Sequence, residues 1–285
     1  MKFVAIGNVA IDENLQNSKT CGGSVFYASL FASKIGSESI AVTSFGKDFL
    51  ELKPNWHSVR VCSELKAFST TFRLIYDKKG NRQAILKKEG GSISKAKLKK
   101  EIYNADIIFV CPIAHEITSK LVSFIAKEKK TGIVVTTPQG WLRNWNKEGE
   151  KISQRSWNNA KEILQFTDVL IISDEDIKDN RSVLKLYKNL IKKKGIVIVT
   201  QGSKGAVAYS ENELVLSKAY PAKAIDPTGA GDIFAAAFGI AFKETASLKK
   251  ALKFANAAAS FIIEGIGVSN MPTRPQILAR INTFY

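Results

Sequence analysis

The stretch "KAIDPTGAGDIFAAAFGIAF" (residues 223–242) joins a glycine-rich turn to an apolar run, and the interpretation of the whole chain depends on it. After Asp232, apolar residues recur at spacings of three and four, which predicts a helix. Gly229, Ala230 and Gly231 then lie at the amino end of that helix, where unpaired N–H groups and the helix dipole favour an anion. A tight turn followed by an ordinary N-cap aspartate is the alternative interpretation.

Outward from this stretch, short apolar runs alternate with helical segments. Runs that are continuously apolar and rich in β-branched residues are typical of strands covered on both faces. Their alternation with helices predicts an α/β fold with a doubly wound, mostly parallel sheet and helices on both faces. The predicted strands are 2–7, 39–46, 105–112, 131–138, 167–173 and 194–202, and the predicted helices include 22–36, 116–130 and 181–194.

Residues 66–88 break this pattern, because polar and apolar residues alternate there around the turn "DKKGN" (77–81). Such alternation predicts a β-hairpin with one solvated face. Together with a short segment at 13–20, the hairpin predicts a small β lid, inserted at about 13–20 and 63–91 into a single domain that spans 1–285. Such a lid would suit closure of a ligand site or of a homodimer.

Composition narrows the classes of partner. The 285-residue chain carries a formal charge of +16, but its lysines are scattered and are not interleaved with aromatic residues as in single-strand binders. No apolar run reaches the roughly 18–20 residues of a membrane span. We therefore expect no specific nucleic-acid partner and no membrane partner. Three dispersed cysteines indicate a reduced, cytoplasmic protein.

Several phosphate-binding and catalytic motifs are absent from the sequence. It contains no GxxxxGK[ST] loop, no GxGxxG after the first strand and no GxSxG elbow. What remains is a set of glycine-rich turns at strand ends, where ligands of open α/β sheets gather. These turns are "GNVAID" (7–12), "CGGS" (21–24), "TQGSKG" (200–205) and "DPTGAGD" (226–232).

Three of these segments together resemble one family. "DPTGAGDIFAAAF" (226–238), "CGGSVFYASLFASKIG" (21–36) and "VTQGSKGAVAY" (199–209) are similar to signatures of the ribokinase-like, PfkB-type kinases of carbohydrates and nucleosides. The resemblance implies an ATP- and Mg²⁺-dependent enzyme that phosphorylates a hydroxyl of a small sugar, cyclic polyol or nucleoside. Within this class, a myo-inositol-like polyol kinase and a nucleoside kinase both stay open.

The resemblance also implies roles for single residues. Asp232 would be the general base that takes a proton from the acceptor hydroxyl, and Gly229, Ala230 and Gly231 would form the anion hole for the transferred phosphoryl group. The resemblance assigns acceptor binding to Asp12, Gly22, Gly23 and Tyr27, and nucleotide binding to Thr200, Gly202, Gly205 and Asn256.

The sequence departs from the family pattern at the metal site. Where the family has Asn-x-x-Glu, this chain reads "SDED" (173–176), so Asp176 is the predicted metal ligand. This change and the charge of +16 favour an alternative, a non-catalytic nucleotide- or nucleic-acid-binding protein that kept the kinase fold.

The acceptor site also departs from that of a ribokinase, which has asparagines where this chain has Ala10 and Tyr27. Polar contacts to ribose are therefore missing. Glu116, Trp141 and Arg143 follow strands that face the same crevice, and either substrate contact or packing and surface pairing accounts for them.

Overall fold

The computed structural model of the protein describes residues 1–76, 82–177, 189 and 195–284. The predicted turn at 77–81 and, apart from residue 189, most of the predicted helix over 181–194 lie outside the described residues. The strands are β1 (Lys2–Ile6), β2 (Ala10–Glu13), β3 (Lys19–Gly22), β4 (Glu38–Phe45), β5 (Arg60–Leu65), β6 (Thr70–Tyr76), β7 (Arg82–Lys88), β8 (Ile107–Val110), β9 (Ile133–Thr136), β10 (Arg143–Asn144), β11 (Ser153–Gln154), β12 (Val169–Ser173), β13 (Ile196–Thr200), β14 (Ala206–Tyr209) and β15 (Leu214–Ser217).

Nine of the described strands form one sheet in the order β15-β14-β13-β12-β9-β8-β1-β4-β5. All neighbours from β13 to β5 pair in parallel, whereas β14 and β15 add an antiparallel edge. The six apolar runs that predict strands all lie in the parallel part, so the prediction of a mostly parallel sheet is confirmed.

Helices cover both faces of this sheet. Adjacent residues of β1 show why: Phe3 belongs to the core on one side and Val4 to the core on the other, since side chains alternate along a strand. The described α-helices are α1 (Ser24–Lys34), α2 (Lys47–Leu50), α3 (Lys99–Ile102), α4 (Ser119–Glu128), α5 (Gln139–Leu142), α6 (Ala160–Leu164), α7 (Asp174–Ile177), α8 (Ala230–Thr245), α9 (Leu248–Ile262) and α10 (Arg274–Phe284), with short 3₁₀ helices at Lys95–Lys97 and Gly202–Lys204.

The two cores use different helices. Residues of α1, α8 and α9, among them Phe31 and Phe238, pack with Phe3 on one face, and residues of α4 and α6 pack with Val4 on the other. Helix α8 lies close to the sheet because a glycine faces it. A Cβ at Gly239 would lie 3.2 Å from a methyl group of Val135. Among the described residues, no helix is long and apolar enough to cross a membrane.

A second, four-stranded sheet forms the lid, in the order β3-β2-β6-β7. Strands β2 and β6 pair in parallel and the other neighbours are antiparallel. The predicted insertion at about 13–20 and 63–91 overlaps this sheet, but residues 63–65 belong to β5 of the main sheet. An ion pair between Glu13 and Arg73 joins β2 to β6. A homodimer through the lid stays a prediction.

Candidate active site

A cavity of about 140 Å³ lies between the lid and the carboxyl ends of β1, β8 and β9. This is the edge at which open α/β sheets bind their ligands. The start of α8 closes one side and β6 and β7 of the lid close another. The lining residues are Ala10, Asp12, Gly23, Ser24, Tyr27, Phe72, Leu74, Ala84, Ile113, Gln139, Arg143, Pro227, Thr228, Gly229, Gly231 and Asp232.

The turn before α8 brings the backbone close to the cavity. Gly229 has a φ of 83°, in the left-handed region, and a Cβ there would lie 2.6 Å from the Tyr27 ring, so only glycine fits without a shift. Gly231 has no atom within 4 Å of the position of a Cβ, which leaves space beside the first turn of the helix. Asp232 follows in the same turn, so the start of α8 and a carboxylate share one wall of the cavity.

The Asp226 carboxylate holds this turn in place. Its Oδ1 accepts the N–H of Thr228 at 2.9 Å, which is an Asx turn, and its Oδ2 accepts the N–H of Gly267 at 3.4 Å. The N–H of Ile225 also donates to the carbonyl oxygen of Ile263 at 2.7 Å. The turn is therefore tied to the segment after α9.

Asp12 lies on the lid side of the cavity, in β2. A Cβ at Gly22 would overlap the Asp12 carboxylate, so the glycine leaves room for that side chain. At Gly23, φ is 93° and a Cβ would lie 2.8 Å from the carbonyl oxygen of Asn8. Burial, and secondarily the Asp12 carboxylate, raises the pKa of Cys21 to about 11. The thiol beside Asp12 is therefore protonated at neutral pH.

Of the three residues with open roles, only Arg143 lines the cavity. Glu116 is buried, and its carboxylate accepts backbone N–H groups of Asn8, Ile113 and Ala114 at 2.7–2.9 Å. Trp141 is also buried, and its Nε1 donates to the carbonyl oxygen of Ile117 at 2.6 Å. Glu116 and Trp141 therefore organise the loops around the cavity.

The residues predicted to bind nucleotide lie elsewhere, at the end of β13, in the turn between β13 and β14, and in α9, and they do not line this cavity. Gly205 has a φ of 100°, and a Cβ there would overlap the carbonyl oxygen of Ser217. The Asn256 amide is buried and donates to the carbonyl oxygens of Ser217 and Lys218 at 3.0 and 3.2 Å. Contacts within the protein are thus enough to explain a glycine at position 205 and an asparagine at position 256.

The other two predicted nucleotide-binding residues are less enclosed. Thr200 is partly buried at the end of β13, and its hydroxyl donates to the carbonyl oxygen of Ile172 at 3.5 Å. No atom lies within 4 Å of the position of a Cβ at Gly202. This part of the turn leaves room for a ligand. Its role as a nucleotide site stays a prediction.

Asp176, the predicted metal ligand, lies in α7 and accepts a hydrogen bond from Nε2 of Gln154 at 3.3 Å. Burial raises the pKa of Asp176, and the positive charge of Arg143 partly offsets that effect. Within the part of the chain that the structure describes, no group of three or more His, Cys, Asp or Glu residues could hold a metal ion. The described side chains thus do not form a metal cage around Asp176.

Some residues that line the cavity belong to no motif that predicts a functional role. Phe72, Leu74 and Ala84 come from the lid hairpin, and the two-residue spacing of Phe72 and Leu74 around Arg73 is the signal that places those two on one face. Gln139 is the first residue of α5, which follows β9, and no pattern in the sequence singles it out.

A sequence model described as the pfkB family carbohydrate kinase matches residues 10–274. The chain belongs to this family. The chain is 31% identical to a nucleoside kinase of Methanocaldococcus jannaschii over 136 residues, which are 47% of this chain and 45% of that protein. It is 27% identical to a probable fructokinase-5 of Arabidopsis thaliana over 277 residues, which are 87% of this chain and 84% of that protein.

Among solved structures, the chain is similar to a pyrophosphate-dependent kinase of the ribokinase family in complex with a pyrophosphate analogue and myo-inositol. The TM-score is 0.77 at 20% identity, and the match covers 98% of this chain and 99% of that one. This similarity shows the ribokinase fold. The chain spans about half the length, or less, of the first curated relatives that it matches.

Proposed function

We propose that the protein is a kinase that transfers a phosphoryl group from ATP to a hydroxyl of a small sugar, cyclic polyol or nucleoside. The observation that carries this proposal is the shared cavity of Asp12 and Asp232 at the start of α8. One carboxylate would bind acceptor hydroxyls and the other would accept a proton. The helix start offers N–H groups to a phosphate. These are the parts that phosphoryl transfer requires from a protein.

In the proposed reaction, an acceptor oxygen forms a bond to the transferred phosphorus, and the bond from that phosphorus to the leaving diphosphate breaks. The proton of the acceptor hydroxyl passes to Asp232, which acts as general base. N–H groups in the first turn of α8 stabilise the charge on the transferred group. Asp12 holds other hydroxyls of the acceptor, and the lid excludes water from the cavity.

The size of the cavity favours a small acceptor. Pockets for drug-sized ligands have volumes of about 300 Å³ or more, whereas this cavity has about 140 Å³. Phe72, Leu74 and Ile113 supply an apolar wall, and Asp12 and Asp232 supply polar groups. A sugar or cyclic polyol with one less polar ring face fits this arrangement.

Ala10 and Tyr27 argue against ribose as the preferred acceptor. Both line the cavity, and neither offers the amide that a ribokinase has at that position. A buried hydroxyl without a partner costs on the order of 1–3 kcal/mol. The Tyr27 ring instead offers an aromatic surface to a sugar or polyol ring. We therefore expect myo-inositol or another cyclic polyol to exceed free ribose in kcat/KM.

A nucleoside acceptor is the second candidate. The archaeal relative that is 31% identical over 136 residues is a nucleoside kinase, which favours this alternative. A nucleoside is larger than the cavity as the lid now lies, so binding would require the lid to open. The acceptor panel described below separates the two candidates.

We propose ATP as the phosphate donor, bound beside the turn at Gly202 and delivered with Mg²⁺ on its phosphates. The open space beside Gly202 and beside Gly231 supports the proposal, because it leaves room for the donor phosphates at both turns. Magnesium would neutralise charge on the donor phosphates. Because the solved neighbour is pyrophosphate-dependent, pyrophosphate belongs in the test as an alternative donor. A cytoplasmic location fits such a donor and stays a proposal.

The test is a set of initial rates with the full chain, ATP and Mg²⁺, against ribose, fructose, myo-inositol, cytidine and adenosine. We expect donor consumption that depends on acceptor and stops with EDTA, with myo-inositol ahead of ribose. A Tyr27→Asn variant should narrow the gap between the two. If ribose is the best acceptor, our account of Ala10 and Tyr27 is wrong.

The same experiment tests the binding-only alternative. A protein that binds nucleotide without catalysis would consume no donor with any acceptor, whether ATP or pyrophosphate is supplied. Tight oligonucleotide binding at physiological salt would then favour a nucleic-acid partner, because non-specific binding weakens steeply as salt rises.

A further inference from the structure

Arg143 carries the only positive charge among the described residues that line the cavity. Its Nη1 donates a hydrogen bond to the carbonyl oxygen of Ile113 at 2.9 Å. Its Cζ lies 5.0 Å from the centre of the Phe72 ring, which belongs to the lid. The guanidinium therefore lies between a core loop and the lid, in a cavity that also contains the carboxylates of Asp12 and Asp232.

The segment that follows Arg143 is attached to the lid. We call residues 143–154 the clasp; its ends pair as β10 and β11. Between these ends, the N–H of Gly149 donates to the carbonyl oxygen of Leu86 at 2.6 Å, and the N–H of Ile152 donates to that of Ala84 at 2.8 Å. The clasp thus adds a short extension to the β7 edge of the lid.

The base of the clasp is fixed to the core. The rings of His115 and Trp145 stack with centroids 4.2 Å apart and 15° between their planes. Nε2 of His115 lies 2.7 Å from the carbonyl oxygen of Arg143. The backbone of Arg143 is held by the core, and its guanidinium contacts both the core loop at Ile113 and the lid at Phe72, so a movement of the lid would change the surroundings of the guanidinium.

We propose that Arg143 binds hydroxyl oxygens of the acceptor other than the one that is phosphorylated. Because the clasp joins the lid to Arg143, this contact forms only when the lid lies over the cavity. This inference rests on the proposed kinase function. The planar guanidinium donates to two neighbouring oxygens at once, which suits vicinal hydroxyls. Together with Asp12, which accepts hydrogen bonds, Arg143 selects a polyol with hydroxyls on more than one side of its ring.

The test compares Arg143→Met with Arg155→Met. Each change removes one positive charge, and Arg155 follows the clasp directly without lining the cavity. The probe is the acceptor that the wild type uses best among ribose, fructose, myo-inositol, cytidine and adenosine. We measure kcat, KM for acceptor and ATP, acceptor affinity by calorimetry, and thermal unfolding.

For Arg143→Met we expect the acceptor KM to rise on the order of 10- to 100-fold, as for loss of hydrogen bonds from a charged group. The KM for ATP should not change. Arg155 lies outside the cavity and its Nε donates to the carbonyl oxygen of Trp141, so for Arg155→Met we expect an acceptor KM within about twofold of wild type and a change mainly in thermal unfolding. Arg143→Lys, which keeps the charge and loses the planar fork, should give an intermediate KM and serves as the variant to use if Arg143→Met does not fold.

The lid dependence has its own test, a double-mutant cycle with Phe72→Leu. If Phe72 acts through Arg143, its effect on acceptor KM should be large in the wild type and small in Arg143→Met. Additive effects would overturn the coupling to the lid.

Failure of the inference is separable from failure of the proposed function. A wild type that neither binds nor phosphorylates any acceptor of the panel overturns both. A wild type that phosphorylates an acceptor while a folded Arg143 variant has the KM of Arg155→Met overturns the role of Arg143 alone.

Discussion

The glycine-rich turn before α8 and the one between β13 and β14 differ in what surrounds their residues. Before α8, Gly231 has open space beside it and lines the cavity together with Asp232. Between β13 and β14, Gly205 lies against the backbone of residues 217–219, and Asn256 in α9 donates its amide hydrogens to that same segment. Each turn has one open glycine, Gly231 or Gly202, but only the open position of the first turn lines the cavity, whereas Gly205 and Asn256 of the second are packed against the protein.

This difference teaches that a glycine motif has two separable meanings. A residue that leaves room for a ligand should change catalysis when it is substituted and leave the free energy of unfolding intact. A residue that fills a gap in the protein should change the free energy of unfolding first. Substitutions at the two turns can therefore break or sharpen the distinction.

The largest effect is expected at Asp232. Asp232→Asn removes the general base, so kcat should fall by at least about 100-fold while ATP still binds. Asp12→Asn is the matched control, because the same chemical change at the other carboxylate should mainly raise the acceptor KM. Steady-state rates and ATP calorimetry provide both readouts. Near-wild-type kcat in Asp232→Asn would remove Asp232 from the mechanism.

At Gly231, a single methyl group should separate stability from activity. Gly231→Ala places a Cβ in open space, so the temperature of thermal unfolding should not fall. The higher helix propensity of alanine should raise that temperature slightly. The methyl group would meet the phosphoryl group in the cavity, and kcat/KM should fall about tenfold or more, the scale of overpacking by about 1–3 kcal/mol. Unchanged kcat/KM would show that no phosphate approaches this turn.

Gly229→Ala is the contrasting variant at the same turn. The left-handed φ of Gly229 is 83°, and a Cβ there would lie 2.6 Å from the Tyr27 ring. We therefore expect the variant to lose both stability and activity. The unfolding temperature and kcat/KM should thus both fall in Gly229→Ala, whereas only kcat/KM should fall in Gly231→Ala.

Asn256→Ala tests the second turn. Loss of the amide leaves the carbonyl oxygens of Ser217 and Lys218 without their donor, at a cost of about 1–3 kcal/mol in the free energy of unfolding. Urea unfolding measures this cost, and ATP calorimetry on the folded variant measures the donor site. Weaker ATP binding at unchanged stability would show that Asn256 contacts the nucleotide directly.

The smallest effect concerns pH and the clasp. Burial lowers the pKa of His115 below its usual value of 6.5 in the folded protein. The unfolded chain therefore takes up the proton more readily, so stability is complete above about pH 6.5 and declines as the pH falls through that value. His115→Asn, which tolerates the φ of 62°, should make thermal unfolding less dependent on pH between 5 and 7. An unchanged pH dependence would contradict the assignment.

Much of the fold could be predicted from sequence, because buried parallel strands are continuously apolar and alternate with helices. The antiparallel edge of β14 and β15 was not predicted as separate strands. Leu214 and Leu216 are exposed in β15, so this strand is not covered on both faces, which is the condition that the strand prediction relied on. The pairing of the clasp with β7 could not be predicted either, because backbone hydrogen bonds between distant irregular segments leave no pattern in the sequence.

The site divides in the same way. Asp12, Gly23, Tyr27, Gly229 and Asp232 meet in one cavity at the carboxyl edge of the parallel sheet, where open α/β sheets bind their ligands. Sequence patterns could not decide between substrate contact and packing for Arg143 and Glu116, because both follow strands at the same edge. The contacts of the folded chain distinguish the two: Glu116 is surrounded by backbone N–H groups, and Arg143 lines the cavity.

The central claim is that the carboxylate and the helix start at Asp232 transfer a phosphoryl group to an acceptor in the cavity. Phosphorus NMR of a reaction with ATP, Mg²⁺ and the acceptor panel measures this directly. We predict a new phosphomonoester signal that grows in step with ADP for the wild type and is nearly absent for Asp232→Asn. ADP accompanied only by inorganic phosphate, or an equal phosphomonoester signal in the two proteins, would contradict the claim.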